Sequence, residues 1–581
     1  MYINLIHRPS NSTHRPMFWL QQSMAHEIGL KTTVFFQYEN LFEEDLVKEV
    51  IEQKNKYGDE IGLWFSDIPS PYMKKTVDKE EPFLWLYTTE EKRLIITECI
   101  GKFKETFGYN PVSVGSYYMD STSLKILHEV SPETKISIGG CFEEGVKVFH
   151  GCNNSWYLFN EGMPFFPWYP SKINSLVCAE NEEDWCKIVV VPHLARDMAL
   201  SYEGRNDFFA THPANVQRAM ANEDDVCPYT LNLVDMYRYQ ERLNNGFSYI
   251  NTFVGPNWLS NSPNVQDSDE DTQKIYREYL EYLKKLDSEG KAKVVYMSEF
   301  ADEFKKTVKI GAPQHYYAKE LLYGNGKQYY WYCSHHWRLL FDMTQGGSIG
   351  DLRPFCGRTP RATGSDTEFL AMGSNPYLIH SQYRTGNAHH FQDGTRTTFL
   401  VEHNGETKDM CDYPARLEDV SQKDGVTVLK LQKQKLTYAD GVSVNVNTKI
   451  EIHDSGELIF KRTLSDCDNV NAQFCTTEYV KAGYGVTEYP EDMRDISLFA
   501  DENTLKYSYS SKKVSGKISC GAIIPKINTK LVLCAADNRE CAAHAHDGCI
   551  FSPYYTLKIQ SNAVCGKEIA TCLKTERYQK F

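Results

Sequence analysis

Several acidic side chains sit where a parallel α/β architecture carries out its chemistry. Asp67, Asp120, Glu143, Glu144, Asp197 and Glu299 each fall at or just past the end of a short apolar, β-branched run. In parallel barrels, ligands and reacting groups collect at the carboxyl ends of the strands. His7 and His193 hold equivalent positions, and Asn257 and Trp258 follow the run at 248–254. Two carboxyl groups across one cleft can cleave or transfer a glycosidic bond. One protonates the leaving oxygen while the other attacks or stabilises the anomeric carbon. Residues 156–169 (WYLFNEGMPFFPWY) add Trp156, Tyr157, Phe159, Phe165, Phe166, Trp168 and Tyr169 to a single loop. Sugar rings present apolar CH faces, so such aromatics can serve as platforms beneath them. The same side chains could instead plug a barrel mouth or pack beneath a sheet. Trp64 is a further candidate platform.

The elements that must position these groups are legible as repeated βα units. Runs at 2–7, 32–38, 60–66, 112–118, 135–140, 187–192, 248–254 and 293–297 read as strands, rich in β-branched and aromatic residues. Helical periodicity appears between Met17 and Ile28, Phe42 and Tyr57, Thr89 and Phe107, after Ser121 and after Ser268. Gly29, Gly58 and Gly108 sit where C-cap glycines would stop the first three. About eight buried strands with helical crossovers imply a parallel sheet covered on both faces. We expect a (β/α)7-8 barrel over residues 1–315. No tryptophan follows Trp337, and the later chain alternates with a two-residue period, as in 426–435, 443–452 and 457–462. Hairpin signals at Lys423-Asp424-Gly425, Ala439-Asp440-Gly441 and Asp454-Ser455-Gly456 separate these runs. Residues 316–581 therefore read as a β-sandwich region of one or two subdomains.

Composition removes whole classes of function. The 581 residues carry 63 basic and 77 acidic side chains, a net charge of −14, with a pI near 5.7. A nucleic-acid binder that tracks the backbone needs a basic surface, so no nucleic-acid partner is expected. No apolar run reaches the ~20 residues that span a bilayer, and the first residues lack a signal-peptide pattern. The seventeen cysteines are odd in number and include no CxxC pair. They read as buried free thiols of a reducing compartment, and the protein as soluble and cytoplasmic. No nucleotide-binding glycine motif or reactive-cysteine signature is present. No cofactor is expected.

With these motifs in view, the chain resembles glycoside hydrolases of families 57 and 38 and, more distantly, the polysaccharide deacetylases. His7-Arg8-Pro9 ends the first strand where family 57 has His-Gln-Pro. Residues 58–63 (GDEIGL) resemble the Gly-x-Glu-Ile-Gly that opens the third strand of these families. Residues 115–120 (GSYYMD) resemble Gly-Phe-Trp-Leu-Pro-Glu of family 57, and 341–353 (FDMTQGGSIGDLR) resemble a sandwich-entry hairpin. The resemblance implies a (β/α)7 barrel followed by all-β domains, with Asp120 as nucleophile. The metal-binding patterns of the deacetylases and of family 38 are missing, as is the Ser-His of family 57.

The expectation is therefore a glycoside hydrolase or transglycosidase of retaining type, acting on an oligosaccharide or polysaccharide. Asp120 is the nucleophile and Asp197 the acid/base, with Glu299 second and Glu143 or Glu144 third for that role. His7, Trp64, Trp156, Trp168, Tyr169, His193, Asn257 and Trp258 are the expected substrate contacts. Asp120 also has a plain structural reading, as the acid at the start of the helix beginning at Ser121. His7, His193 and Asp120 are ligand types that zinc accepts, although no metal is assigned. Two alternatives stand beside the hydrolase: a non-catalytic carbohydrate-binding barrel, and a metal-dependent mannosidase- or deacetylase-like enzyme. No membrane partner is expected, and self-association is left open.

Overall fold

The computed structural model describes residues 1–9, 12–65, 71–80, 84, 87–116, 119–140, 162–193, 195–202, 228–260, 268–358, 375–381, 394–467, 472–486, 489–490, 493–546 and 554–579. The chain forms two compact units. One is Met1–Gln314 with Glu320–Gly324, and the other includes His315–Lys319, Asn325–Thr359 and Asn375–Phe581.

The first unit is a parallel, barrel-like sheet wrapped by helices. Its strands are β1 (Tyr2–His7), β2 (Thr33–Gln37), β3 (Glu60–Trp64), β4 (Ser113–Gly115), β5 (Ile136–Gly140), β6 (Val189–Pro192), β7 (Tyr249–Phe253) and β8 (Lys293–Val294). Their order is β6-β5-β4-β3-β2-β1-β7, and β8 pairs with the start of β1. The helices are α1 (Arg15–Ile28), α2 (Glu44–Tyr57), α3 (Thr89–Phe107), α4 (Ser121–Val130), α5 (Met198–Tyr202), α6 (Pro228–Tyr239), α7 (Asp269–Ser288) and α8 (Met297–Thr307). Gly29, Gly58 and Gly108 end α1, α2 and α3 in the left-handed conformation, which costs glycine little because it has no Cβ. The Thr88 side chain accepts from the Glu91 N–H to open α3 as a capping box.

No backbone ladder joins β6 to β7 among the described residues. The gap is spanned instead by the Asn251 side chain, whose amide donates to the Pro192 carbonyl at 3.1 Å. The edge of β6 is further covered by Trp168, which exchanges two backbone hydrogen bonds with Val190. Helix α8 lies at the amino-terminal end of the sheet. The Ser298 N–H donates to Glu60, the first residue of β3, and the Met297 N–H donates to Thr33 Oγ1, the first of β2. Phe300 packs on Tyr249 with ring centroids 4.2 Å apart.

The second unit is all-β. It holds antiparallel sheets of five, six and ten strands and a two-stranded hairpin. The two-residue periodicity of the sequence is realised in Glu457–Ser465, whose residues alternate between buried and half-buried. One expectation is overturned here, because Cys467 and Cys565 are joined as a disulfide. The pair is 98 residues apart in sequence, so no short spacing could reveal it. Many of the other described cysteines are buried thiols, including Cys99, Cys186, Cys333, Cys356 and Cys411.

The five-stranded sheet buries a compact charge cluster. Asp351 accepts from Arg338 (Nε 3.1 Å, Nη2 2.9 Å) and from Arg353 Nε at 3.0 Å. All three side chains are at most 2% exposed. The arginines hold the Asp351 carboxyl below its ordinary range against the opposing effect of burial. Breaking a buried pair by removing one partner leaves an uncompensated charge. Asp351→Asn should therefore lower unfolding free energy by about 3–5 kcal/mol, read as a shifted urea midpoint. A variant as stable as the parent would show that the cluster contributes nothing net.

Candidate functional site at the carboxyl end of the barrel

In a strand, successive side chains point to opposite faces. His7, the last residue of β1, faces the helix layer. Its ring bonds to Gln22 of α1 through Nδ1 and to the Tyr276 hydroxyl of α7 through Nε2, at 2.9 Å. Burial pushes its pKa down to about 4, so the imidazole is neutral. Arg8, one residue later, takes the other face. Its guanidinium carbon lies 5.3 Å from the Trp64 ring centre and 5.7 Å from that of Phe253, within cation–π range.

Trp64 ends β3, His193 follows β6 and Phe253 ends β7. Their rings meet: Trp64–Phe253 at 5.5 Å, Trp64–His193 at 5.9 Å and His193–Phe253 at 4.6 Å, edge to face. Trp64 stands opposite Gly115 in the β3–β4 register, and a Cβ there would lie 2.3 Å from the indole. Glycine at 115 is thus required for the tryptophan to lie where it does. Trp64, His193 and Phe253 are buried, whereas Arg8 is partly exposed. Trp64, His193 and Phe253 thus form a packed aromatic layer at the strand ends, with a guanidinium against it.

Asp197 lies just past His193, at the start of α5. Its Oδ1 accepts from the Ala199 and Leu200 N–H groups, both at 2.9 Å. Its Oδ2 accepts from the Tyr229 hydroxyl at 2.7 Å. Burial raises its pKa to about 6, against these hydrogen bonds, and the Glu320 charge raises it further. Asp120 is differently placed. It caps α4, accepting from the Ser123 N–H at 2.8 Å and the Ser123 hydroxyl at 3.1 Å. It also forms a 3.2 Å ion pair with Lys92 of α3, both side chains being at most 2% exposed. Its carboxylate is directed toward the α3 and α4 helix starts, and no described interaction joins it to Asp197.

The remaining expected residues are spread out. Glu299 sits at the opposite end of the sheet. It reaches back to the Tyr296 N–H at 3.1 Å and pairs with Lys31, which precedes β2, at 2.8 Å. The reason is that β8 has two residues rather than five and pairs at the foot of β1, so α8 begins at the base. Trp168 and Tyr169 are buried against their own unit. Trp168 Nε1 donates to the Ser175 carbonyl at 2.8 Å, and the Tyr169 hydroxyl donates to the Val308 carbonyl at 2.8 Å. Tyr169 also packs on Phe304 of α8. These two aromatics line the β6 edge and the base, not a sugar platform. Asn257 is exposed in the short turn Pro256–Leu259. The Trp258 side chain, and Trp156, Asp67, Glu143 and Glu144, lie outside the described residues. His7, His193 and Asp120 do not converge, and no group of three metal-ligand residues occurs among the described residues.

Residue-type reasoning passed over Arg8, Phe253 and Tyr229. Arg8 had a signal, since it follows a strand-terminal residue and stands in the His-Arg-Pro segment.

No curated protein matches the chain. Among solved structures it is similar to a provisionally assigned glycoside hydrolase/deacetylase from Parabacteroides distasonis, with a TM-score of 0.46 and 13% identity over 63% of this chain and 88% of that one. It is also similar to a 4-alpha-glucanotransferase from Thermococcus litoralis, with a TM-score of 0.30 and 10% identity over 99% of both chains. A galactose mutarotase-like protein from Clostridium acetobutylicum gives a TM-score of 0.29 and 9% identity over 45% of this chain and 98% of that one. Likenesses this distant say nothing of activity. The family model that matches covers residues 29–327, just over half of the sequence, and the chain belongs to that family, DUF3863, a domain of unknown function with a solved structure.

Proposed function

We propose that this chain is a carbohydrate-active protein that takes an oligosaccharide at the carboxyl end of its barrel. The observation that carries this reading is the partly exposed Arg8, whose guanidinium packs over Trp64 and Phe253. A sugar offers hydroxyls to a fixed fork of N–H donors and CH faces to apolar surroundings. The chemistry we assign is hydrolysis or transfer of a glycosidic bond, with Asp197 as the proton donor. A carboxyl group with a pKa of about 6 keeps its proton at mildly acidic pH, as a general acid requires.

One observation favours a second reading, that of a carbohydrate-binding barrel without turnover. Asp120, the expected nucleophile, already serves Lys92 and Ser123. In that reading Asp120 is a positioning residue that ties the start of α3 to that of α4.

Three measurements separate these readings. Calorimetry with a panel of oligosaccharides should show binding that Arg8→Ala weakens about tenfold, roughly one charge-assisted hydrogen bond. A protein that binds none of them refutes the site. Where turnover is found, its rate should fall as pH rises through about 6, and Asp197→Asn should cost at least ~100-fold in kcat, the low end for general acid–base catalysis. Asparagine keeps the acceptor for Ala199 and Leu200, so the variant should fold. The folded pKa of Asp197 lies above the unfolded 3.8, so ionising it opposes folding. Its cost, on the order of 3 kcal/mol, is absent below the unfolded value and complete above about 6. Asp197→Asn should remove that loss of stability with rising pH. Asp120→Asn leaves Lys92 buried without its carboxylate and should destabilise by about 3–5 kcal/mol in urea unfolding. A variant that keeps its stability and loses only kcat would restore Asp120 as nucleophile.

A further inference from the structure

The second unit brings four more cysteines together in pairs. Cys534 lies in strand Thr529–Cys534 and Cys572 in the antiparallel strand Glu568–Arg577, where they stand directly opposite in register. Directly opposed antiparallel residues have Cα atoms about 4.5–5.5 Å apart, within the roughly 4.4–6.8 Å that a disulfide spans. Both residues are half-buried, so a small oxidant can reach them. Cys520, in strand Ser519–Ile524, and Cys541, in strand Cys541–Ala545, belong to the ten-stranded and six-stranded sheets respectively. Their side chains hydrogen-bond to one another. Both are buried. In the same unit Cys467 and Cys565 are already bonded. Many strands here also lie far apart in sequence, which is where covalent closure constrains the unfolded chain most.

We propose that Cys534–Cys572 and Cys520–Cys541 are disulfide-forming sites, so that the β-sandwich unit carries three covalent staples when it matures in an oxidising compartment. Each closure forms one S–S bond and breaks two S–H bonds. Two electrons and two protons pass to a small-molecule or protein disulfide, which leaves as two thiols. The first step is attack by a thiolate on that disulfide. Cys534 is suited to it, because the Cys572 thiol donates a hydrogen bond that lowers the Cys534 pKa to about 7. Cys572 then displaces the mixed disulfide. The first pair joins neighbouring strands of one sheet, whereas the second links the two sheets. Exposure sets the order, with Cys534–Cys572 closing before the buried Cys520–Cys541.

The test uses the full chain, incubated with oxidised glutathione at neutral pH, quenched with acid, alkylated in denaturant and digested without reduction. Mass spectrometry should find Cys534 joined to Cys572 and, more slowly, Cys520 joined to Cys541. The thermal midpoint should rise by several degrees relative to the reduced protein. Cys572→Ser should trap Cys534 as its mixed disulfide with glutathione, with no Cys534 peptide pair, and leave the Cys520–Cys541 peptide pair intact. The proposal is overturned if only the Cys467–Cys565 pair is recovered after prolonged oxidation, or if these four residues cross-link to other cysteines.

Discussion

Among the described residues the parallel sheet stops one strand pairing short of closure, which leaves two rows of backbone donors and acceptors that cannot be buried unpaired. The barrel unit depends on meeting that constraint. Trp168 pairs its backbone with Val190 along the outer edge of β6, and Asn251 carries a side-chain amide across to Pro192. Helix α8 covers the base through Thr33 and Glu60. The Glu60 carboxyl, raised in pKa by burial, receives donors from that helix. With the edge and base covered, strand alternation decides which side chains meet at the mouth. That alternation separates Arg8 from His7 although they are adjacent.

Acids at the ends of parallel strands face two competing uses, because the turn from strand to helix places an N-cap where a reacting group would stand. An N-cap contributes about 0.5–2 kcal/mol, enough to hold a carboxylate in place. Asp120 and Asp197 both accept hydrogen bonds from the first turn of the following helix. They differ in what else is near. Asp120 has a buried lysine at 3.2 Å. Asp197 has a tyrosine hydroxyl and backbone N–H groups, with Glu320 adding like charge. These dipoles do not offset its burial, which raises the Asp197 pKa to about 6.

The order of elements in the barrel was legible because each strand is apolar and each helix carries its own stop or start signal. Gly58 after α2 and Ser268 before α7 are examples. The alternating C-terminal half was legible for the same reason. Facing was not. In a strand buried on both sides nearly every residue is apolar, so nothing in YINLIH tells which face His7 takes. Glu299 was misplaced because KVVYM reads as a full strand, whereas the apolar spacing of Met297, Phe300, Ala301 and Phe304 belongs to α8. The aromatics at 165–169 promised a surface but are buried, since an uncovered strand edge consumes apolar area just as a ligand would. Pairing of distant cysteines is set by strand register, which spacing along the chain does not encode.

The segment 115–120 shows how far a motif can be explained without chemistry. Its glycine is needed because the Trp64 indole occupies the space a Cβ would take. Its aspartate is held by Ser123 and Lys92. Packing and capping together account for both ends of the segment. A resemblance carried by that spacing therefore bears on the fold more than on the reaction. A guanidinium is more weakly hydrated than an ammonium, so an arginine at position 8 packs on two aromatic rings at lower desolvation cost than a lysine would. Arg8 over Trp64 and Phe253, with His193 against both rings, gathers the described packing at the mouth around the ends of β1, β3, β6 and β7.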